Sequence, residues 1–317
     1  MESEHQPTAQ DLPPEEGVRG ETEEAQEETQ QVQQREHLPA VHQVVLAYQG
    51  ARYAGWQRQD NAVAVQQVVE EALEEILPPQ FIGRGPVRVV AASRTDAGVH
   101  ALGQSAHLRL RKPFPGNLAK ALNGLLPRDI RILKIAAQSA DFSAQRCTIG
   151  KIYSYRVTTD PVPSPLLLQH AAPSRDLLDL GLLRRAAALV VGSHDFTAFA
   201  LRRGNHRQPV RTVYRCGWQQ TGPGELRLVI VGNGFLRGMV RTLAGTFLEV
   251  GSGRRSLESL RRLLRGAPRP QAGPTAPAQG LTLERVLYPS PWGTDACPGS
   301  AAEDFLRHSR SPWERST

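Results

Sequence analysis

The sequence predicts an α+β protein: two ferredoxin-like (RRM-like) α/β halves whose largely antiparallel sheets flank a basic central cleft. Three observations predict it. Strand and helix patterns run in the order β-α-β-β-α-β through the first half, and a similar order follows in the second. Arginine dominates the charge of both halves, leaving them strongly basic once the acidic N-terminal segment is set aside. The length of 317 residues suits about two units of the usual roughly 100–200 residues each.

Residues 1–37 hold eleven acids against two bases and almost no large apolar side chains, so we expect a disordered acidic tail. The first half is assigned to 38–145. Residues 41–48, VHQVVLAY, are rich in β-formers and read as its first strand. The loop QGARYAGWQRQDN follows. Val65, Val68, Val69, Ala72, Leu73, Ile76 and Leu77 then recur at spacings of three and four, predicting an amphipathic helix stopped by Pro78-Pro79. Strands are expected at 87–92 and 104–110, with SRTDAGVHALGQ as the loop between them, then a helix at 117–126 and a strand at 130–136. The second half, 146–290, reads as strand 151–158, helix 176–191, strands 210–219 and 225–231, helix 235–250, short helix 257–265 and strand 281–288. A Pro/Gly loop, GAPRPQAGPTAPAQG, feeds that last strand, and 291–317 reads as a flexible C-terminal tail.

Outside the acidic tail the chain carries 36 bases against 20 acids, and lysine occurs only at 112, 120, 134 and 151. Nearly all the positive charge is therefore guanidinium, whose planar fork suits phosphate oxygens and base edges. A polyanion such as nucleic acid is the expected partner. Cys147, Cys216 and Cys297 are far apart and odd in number, which argues against a disulfide framework or a zinc ribbon. No apolar run approaches the roughly 20 residues of a membrane span, and no signal core or Arg-rich presequence is visible, so a cytoplasmic location is expected.

Asp96 is the first candidate for chemistry. An Asp before Ala97-Gly98 suits a turn, since its carboxylate bonds nearby N–H groups while glycine takes positive φ. Arg94, two residues earlier, would also favour the charged carboxylate, which could then serve as nucleophile, general base or metal ligand. The metal version would recruit His100 and His107, but that spacing matches no established ligand pattern. A metal-dependent nuclease on Asp96 and His100 is a further alternative, but no metal or other cofactor is expected.

Other stretches point towards RNA. GKIYSYRV puts Tyr153 and Tyr155 on one strand face, where paired aromatics either fill a core or stack on bases. YAGWQRQ interleaves Tyr53 and Trp56 with Arg58 and Gln59, and RGNHRQPVRTV adds Arg203, His206, Arg207 and Arg211 without an acid. VIVGNGFLRG imitates a dinucleotide-binding loop but fails at the third glycine, where Arg237 stands. The helix after it presents an apolar stripe with Arg241 at its side, half buried and in need of an anion.

Taken together, YAGWQRQ, SRTDAGVHALGQ, DFSAQ, KIYSYR, HDFTAFA, RQPVRTV, NGFLRGMVRTLAGTFLEVG and TAPAQGLTL resemble, in order and over about 41–288, the TruA-type family of tRNA pseudouridine synthases. The resemblance implies that Asp96 is the nucleophile, with Tyr153 and Arg241 completing the active site. It also implies that Arg94 helps displace the target base and that Leu281 lines the uracil pocket. Arg58, Gln59, Arg207 and Arg211 are the expected RNA contacts. The implied substrate is uridine in the tRNA anticodon stem-loop, at positions 38, 39 and 40, handled by a homodimer without cofactor. Leu236-Arg237-Gly238 departs from a bulkier His-containing spacing, and the basic segment before Tyr153 is reduced to Lys151. The alternative is an RNA-binding or RNA-chaperone protein on the same fold, although a pure binder need not retain the trio Asp96, Tyr153 and Arg241.

Overall fold

The computed structural model describes residues 40–83, 85–112, 114, 116–201, 208–293 and 295. The acidic segment 1–37, the tail beyond Asp295, and Arg203, His206 and Arg207 lie outside the described residues. The first segment contributes β1 (Ala40–Tyr48), α1 (Val65–Ile76), α2 (Pro79–Ile82), β2 (Val90–Ala91), β3 (His100–Leu110), α3 (Leu118–Leu125) and β4 (Ile130–Gln138). The second contributes β5 (Gly150–Thr158), α4 (Pro165–Leu168), β6 (Ala172–Pro173), α5 (Leu180–Leu189), β7 (Gly192–Asp195), β8 (Val210–Gly222), β9 (Glu225–Gly232), α6 (Met239–Gly251), α7 (Leu257–Leu263) and β10 (Leu281–Leu287).

The strands form one mixed sheet of ten, ordered β4-β1-β3-β10-β5-β9-β8-β7, with β2 on β3 and β6 on β5. Pairing is antiparallel except at β10–β3 and β5–β6. The last strand in the chain thus lies in the middle of the sheet. β10 aligns Thr282 and Leu283 with His100 and Ala101 on one side and Leu283 with Tyr153 on the other. That insertion brings the loop before β3 and the middle of β5 close together, where the candidate residues sit.

The apolar pattern of α1 behaves as read: Val65, Val69, Ala72 and Leu73 are buried against the sheet, each large side chain contributing roughly 1.5–3 kcal/mol by leaving water. Tyr153, Tyr155, Leu228 and Ile230 join this main core, while Ile152, Val229, Val231 and Leu287 form a small separate cluster on the opposite sheet face.

Four expected boundaries are corrected. The strand read at 87–92 pairs only at Val90–Ala91, because the Val87 and Val89 N–H groups donate to the carboxylates of Glu74 and Glu70 on α1. The strand read at 104–110 starts at His100, where β10 supplies a partner that no local pattern reveals. The helix read at 176–191 begins at Leu180, since Asp179 caps it by accepting from the Leu182 N–H at 3.0 Å while Asp176 pairs with Arg254. The helix read at 235–250 begins at Met239: Gly238 takes φ 71°, so Phe235, Leu236 and Arg237 form its approach instead of its first turn.

Candidate active site

Asp96 sits in the tight turn between β2 and β3, where the Val99 N–H donates to the Asp96 carbonyl at 3.1 Å and Gly98 takes φ 79°. The turn is clamped from behind by the YAGW loop. The Trp56 N–H donates to the Thr95 carbonyl at 3.1 Å, and a Cβ on Gly55 would stand 2.5 Å from that same oxygen, so only glycine permits the contact. Below it, Tyr48 Oη and Thr95 Oγ1 are hydrogen-bonded at 2.8 Å, and Gln104 Nε2 donates to the Ser93 carbonyl at 2.7 Å. The aspartate is thus fixed by its backbone, and its carboxylate projects into a cavity of about 720 Å³.

Arg241 reaches that carboxylate from the first turn of α6, with Nη1 3.2 Å from Oδ2. Its aim is set by the TAPA loop. Arg241 Nε donates to the Ala276 carbonyl at 2.8 Å, and the Ala276 N–H returns a bond to the Arg241 carbonyl at 3.1 Å. Gly245 allows this loop to lie on the helix, since a Cβ there would be 1.9 Å from the Pro274 oxygen. A second guanidinium, Arg237, approaches the other oxygen, with Nε 3.8 Å from Oδ1.

Tyr153, on β5, forms part of the cavity wall beside Asp96. Its hydroxyl is hydrogen-bonded to Ser93 Oγ at 2.9 Å, and its ring meets Phe235 edge to face at a centroid distance of 5.3 Å. Burial pushes its phenol up to about 12. Tyr155 is different: it is fully buried and donates to the Pro277 carbonyl at 2.9 Å, bracing the TAPA loop from inside. Leu281 and the exposed Arg94 also line the cavity. Arg94 makes no ion pair with Asp96; Arg241 and Arg237 occupy that role.

The expected RNA contacts divide. Gln59 lines the cavity together with Gln57, but Arg58 turns towards α1, 3.4 Å from the buried Glu70 and 3.8 Å from Glu71. Arg211, on β8, donates to the Gln208 and Val210 carbonyls at 2.7 Å each and adds its charge to the desolvation that lowers the Lys151 ammonium to about 8. Arg207 lies outside the described residues. His100 accepts from the Gly50 N–H at 3.1 Å and packs on His170, while His107 accepts from the Ala144 N–H at 3.2 Å. Among the described residues no three His, Cys, Asp or Glu side chains converge as a metal site, and no helix is long and apolar enough to cross a membrane.

Ser93, Lys151, Phe235 and Arg237 are among the cavity residues to which sequence reasoning gave no site role. Arg237 carried a signal, since it stood where a dinucleotide-binding loop would need glycine. Ser93 carried none, because its partnership with Tyr153 spans sixty residues.

The sequence model of the family described as tRNA pseudouridine synthase matches residues 44–145 and 186–289. The chain is 41% identical over 250 residues to the protein named tRNA pseudouridine synthase A of Syntrophotalea carbinolica, covering 78% of this chain and 96% of that one. The protein of the same name from Myxococcus xanthus is 39% identical over 246 residues, 77% of this chain and 91% of that one. A third, from Clostridium kluyveri, is 38% identical over 246 residues, 77% of this chain and 98% of its own. The matched segments contain Asp96 in the first and Arg241 in the second, and the chain belongs to the TruA-type tRNA pseudouridine synthase family.

Proposed function

We propose that the protein is an isomerase that converts uridine to pseudouridine in tRNA, with Asp96 as nucleophile. The observation that carries the reading is the meeting of Asp96 and Arg241, 145 residues apart, at 3.2 Å in a cavity that Tyr153 also lines. In the reaction the N1–C1′ bond breaks, the freed uracil turns, and a C5–C1′ bond forms; C5 loses a proton and N1 gains one. Nothing is oxidised or reduced and no group comes from outside. Asp96 attacks either the ribose C1′ or ring C6, and both routes need a carboxylate aimed into the cavity with a counter-ion that leaves one oxygen uncovered. Arg241 meets that need by holding Oδ2. Tyr153 offers its ring to a uracil flipped out of the stack, and its hydroxyl lies near the place where the C5 proton must leave.

The reading extends to finer points. The target is uridine at positions 38, 39 and 40 of the anticodon stem-loop, bound without a metal or cofactor by a cytoplasmic homodimer. The fold is read as two ferredoxin-like (RRM-like) halves, 38–145 and 146–290, that share the sheet at β10. Arg94 displaces the target base and Leu281 forms the floor of the uracil site. RNA shape and charge, more than base edges, set recognition.

Replacing Asp96 by Asn should leave the fold and tRNA binding in place and lower tritium release from tRNA carrying 5-tritiated uridine by at least about a thousandfold. Release at the wild-type rate would remove Asp96 from the chemistry and favour the RNA-chaperone reading.

A further inference from the structure

Asp96 carries two guanidiniums that share a charge and little else. Arg241 is mostly buried, forms a hydrogen bond to Oδ2, and commits its Nε to the Ala276 carbonyl. Arg237 stands 3.8 Å from Oδ1, beyond hydrogen-bond reach, with its side chain 57% exposed at the mouth of the cavity. Its backbone is fixed: the Arg237 carbonyl accepts from the Leu201 N–H at 2.9 Å, and a Cβ on Gly238 would stand 2.5 Å from Leu201 Cγ. The guanidinium thus reaches out, without a hydrogen bond to Asp96, from a backbone held in place.

We infer that Arg237 is a positioning residue for the target nucleotide: it caps Asp96 Oδ1 while the cleft is empty and moves to a phosphate next to the target uridine when RNA enters. The inference rests on the nucleophile reading above, because it is Oδ1, not the oxygen held by Arg241, that must be uncovered for attack. A loose, exposed ion pair is weakly held and exchanges readily. A phosphodiester offers the same guanidinium two oxygens in a geometry it matches better than a single carboxylate oxygen at this distance. Entry of the polyanion thus removes the cap from the nucleophile and anchors the strand in one movement. An empty cleft keeps its carboxylate covered.

The test compares wild-type protein with Arg237→Ala and the near-isosteric Arg237→Gln, using stem-loop RNA that carries 5-tritiated uridine. Both variants should raise KM about tenfold with kcat within about threefold, and reduce the slope of log K against log salt by about 0.7–0.9, the loss of one phosphate contact. Neutral methylphosphonate groups, placed singly at the phosphates flanking the target, should weaken wild-type binding about tenfold at one position and add nothing there in either variant. Unchanged salt slopes, or methylphosphonate penalties that add in full to the substitution, would overturn the inference. A fall in kcat with a shifted pH profile and an unchanged slope would also overturn it, by making Arg237 a partner of Asp96 alone. If wild-type protein releases no tritium the isomerase reading fails; if it does and the variants keep the wild-type slope, only the role of Arg237 fails.

Discussion

Two guanidinium–carboxylate pairs lie on opposite faces of β5 and its neighbours, and they differ in how far each is enclosed. On one face Arg241 meets Asp96 at 3.2 Å, with the two side chains 18% and 21% exposed beside the cavity. On the other, Arg227 meets Glu284 at 2.9 Å with both side chains nearly sealed, and Glu284 also accepts from the Ser154 hydroxyl. Ser154 and Tyr153 are adjacent on the strand, so alternation alone assigns each to its face. Glu284 is enclosed by its partners Arg227 and Ser154 and is 7% exposed. Asp96 has one oxygen held firmly, one held loosely, and a cavity in front. The same kind of ion pair is enclosed on one face and opens onto a cavity on the other, and the nucleophile role proposed for Asp96 rests on that opening.

The comparison breaks most visibly on the sealed side. Glu284→Ala removes the carboxylate that the buried Arg227 meets at 2.9 Å, which should cost about 3–5 kcal/mol of stability in a denaturant titration, while whatever folds keeps its kcat. Replacing both Arg227 and Glu284 with apolar residues of similar volume should recover most of that loss. On the open side the signs reverse. Arg241→Lys keeps the charge but loses the fork that spans Oδ2 and Ala276, so kcat should fall about a hundredfold with thermal stability changed little. A stability loss at Arg241 as large as at Glu284 would erase the distinction.

A third expectation concerns the cation beside the open pair. The Lys151 ammonium is lowered from 10.5 to about 8 by burial, with Arg211 adding repulsion. The proton on Lys151 is therefore disfavoured in the folded state, and the empty protein should gain stability as pH rises from about 8 towards 10.5. RNA binding has the opposite sign. A phosphate near Lys151 favours the charged form, so affinity should weaken above pH 8 by up to about tenfold per unit, and Lys151→Met should flatten that dependence.

How much of this was legible in the sequence depends on how far apart the cooperating residues lie. The apolar spacing of α1 fixes its buried face from within twelve residues, and Pro78 ends it locally. The turn at Asp96 was equally local, needing only Gly98. The start of α6 is not local: 235–238 carry a helical pattern, but Gly238 adopts positive φ with Leu201 packed against the place its Cβ would take. The partners of Arg58 are illegible for a related reason. Its loop is rich in aromatic and amide groups, and nothing in that composition reveals that Glu70 on α1 lies 3.4 Å from its guanidinium. Only motifs mark the proposed trio in the sequence, since no periodicity brings β5, α6 and the Asp96 turn together. That depends on β10 entering the middle of the sheet, a long-range pairing without a local signature.

The smallest expected effect sharpens the open face further. Tyr153→Phe removes one hydrogen bond, to Ser93 Oγ, and keeps the ring that packs against Phe235. A neutral bond of that kind contributes about 1 kcal/mol, so turnover should fall about fivefold if the hydroxyl only steadies the ring. Ser93→Ala should then cost about as much, and the double variant no more than either alone, since all three changes delete the same bond. The pH profile discriminates between steadying and proton transfer. With the phenol pushed up to about 12 by burial, Tyr153 stays protonated from pH 6 to 10 and should impose no limb on the rate in that range. A limb between pH 8 and 9 that vanishes in Tyr153→Phe would instead make the phenolate the group that takes the C5 proton, and the loss on substitution would then far exceed fivefold.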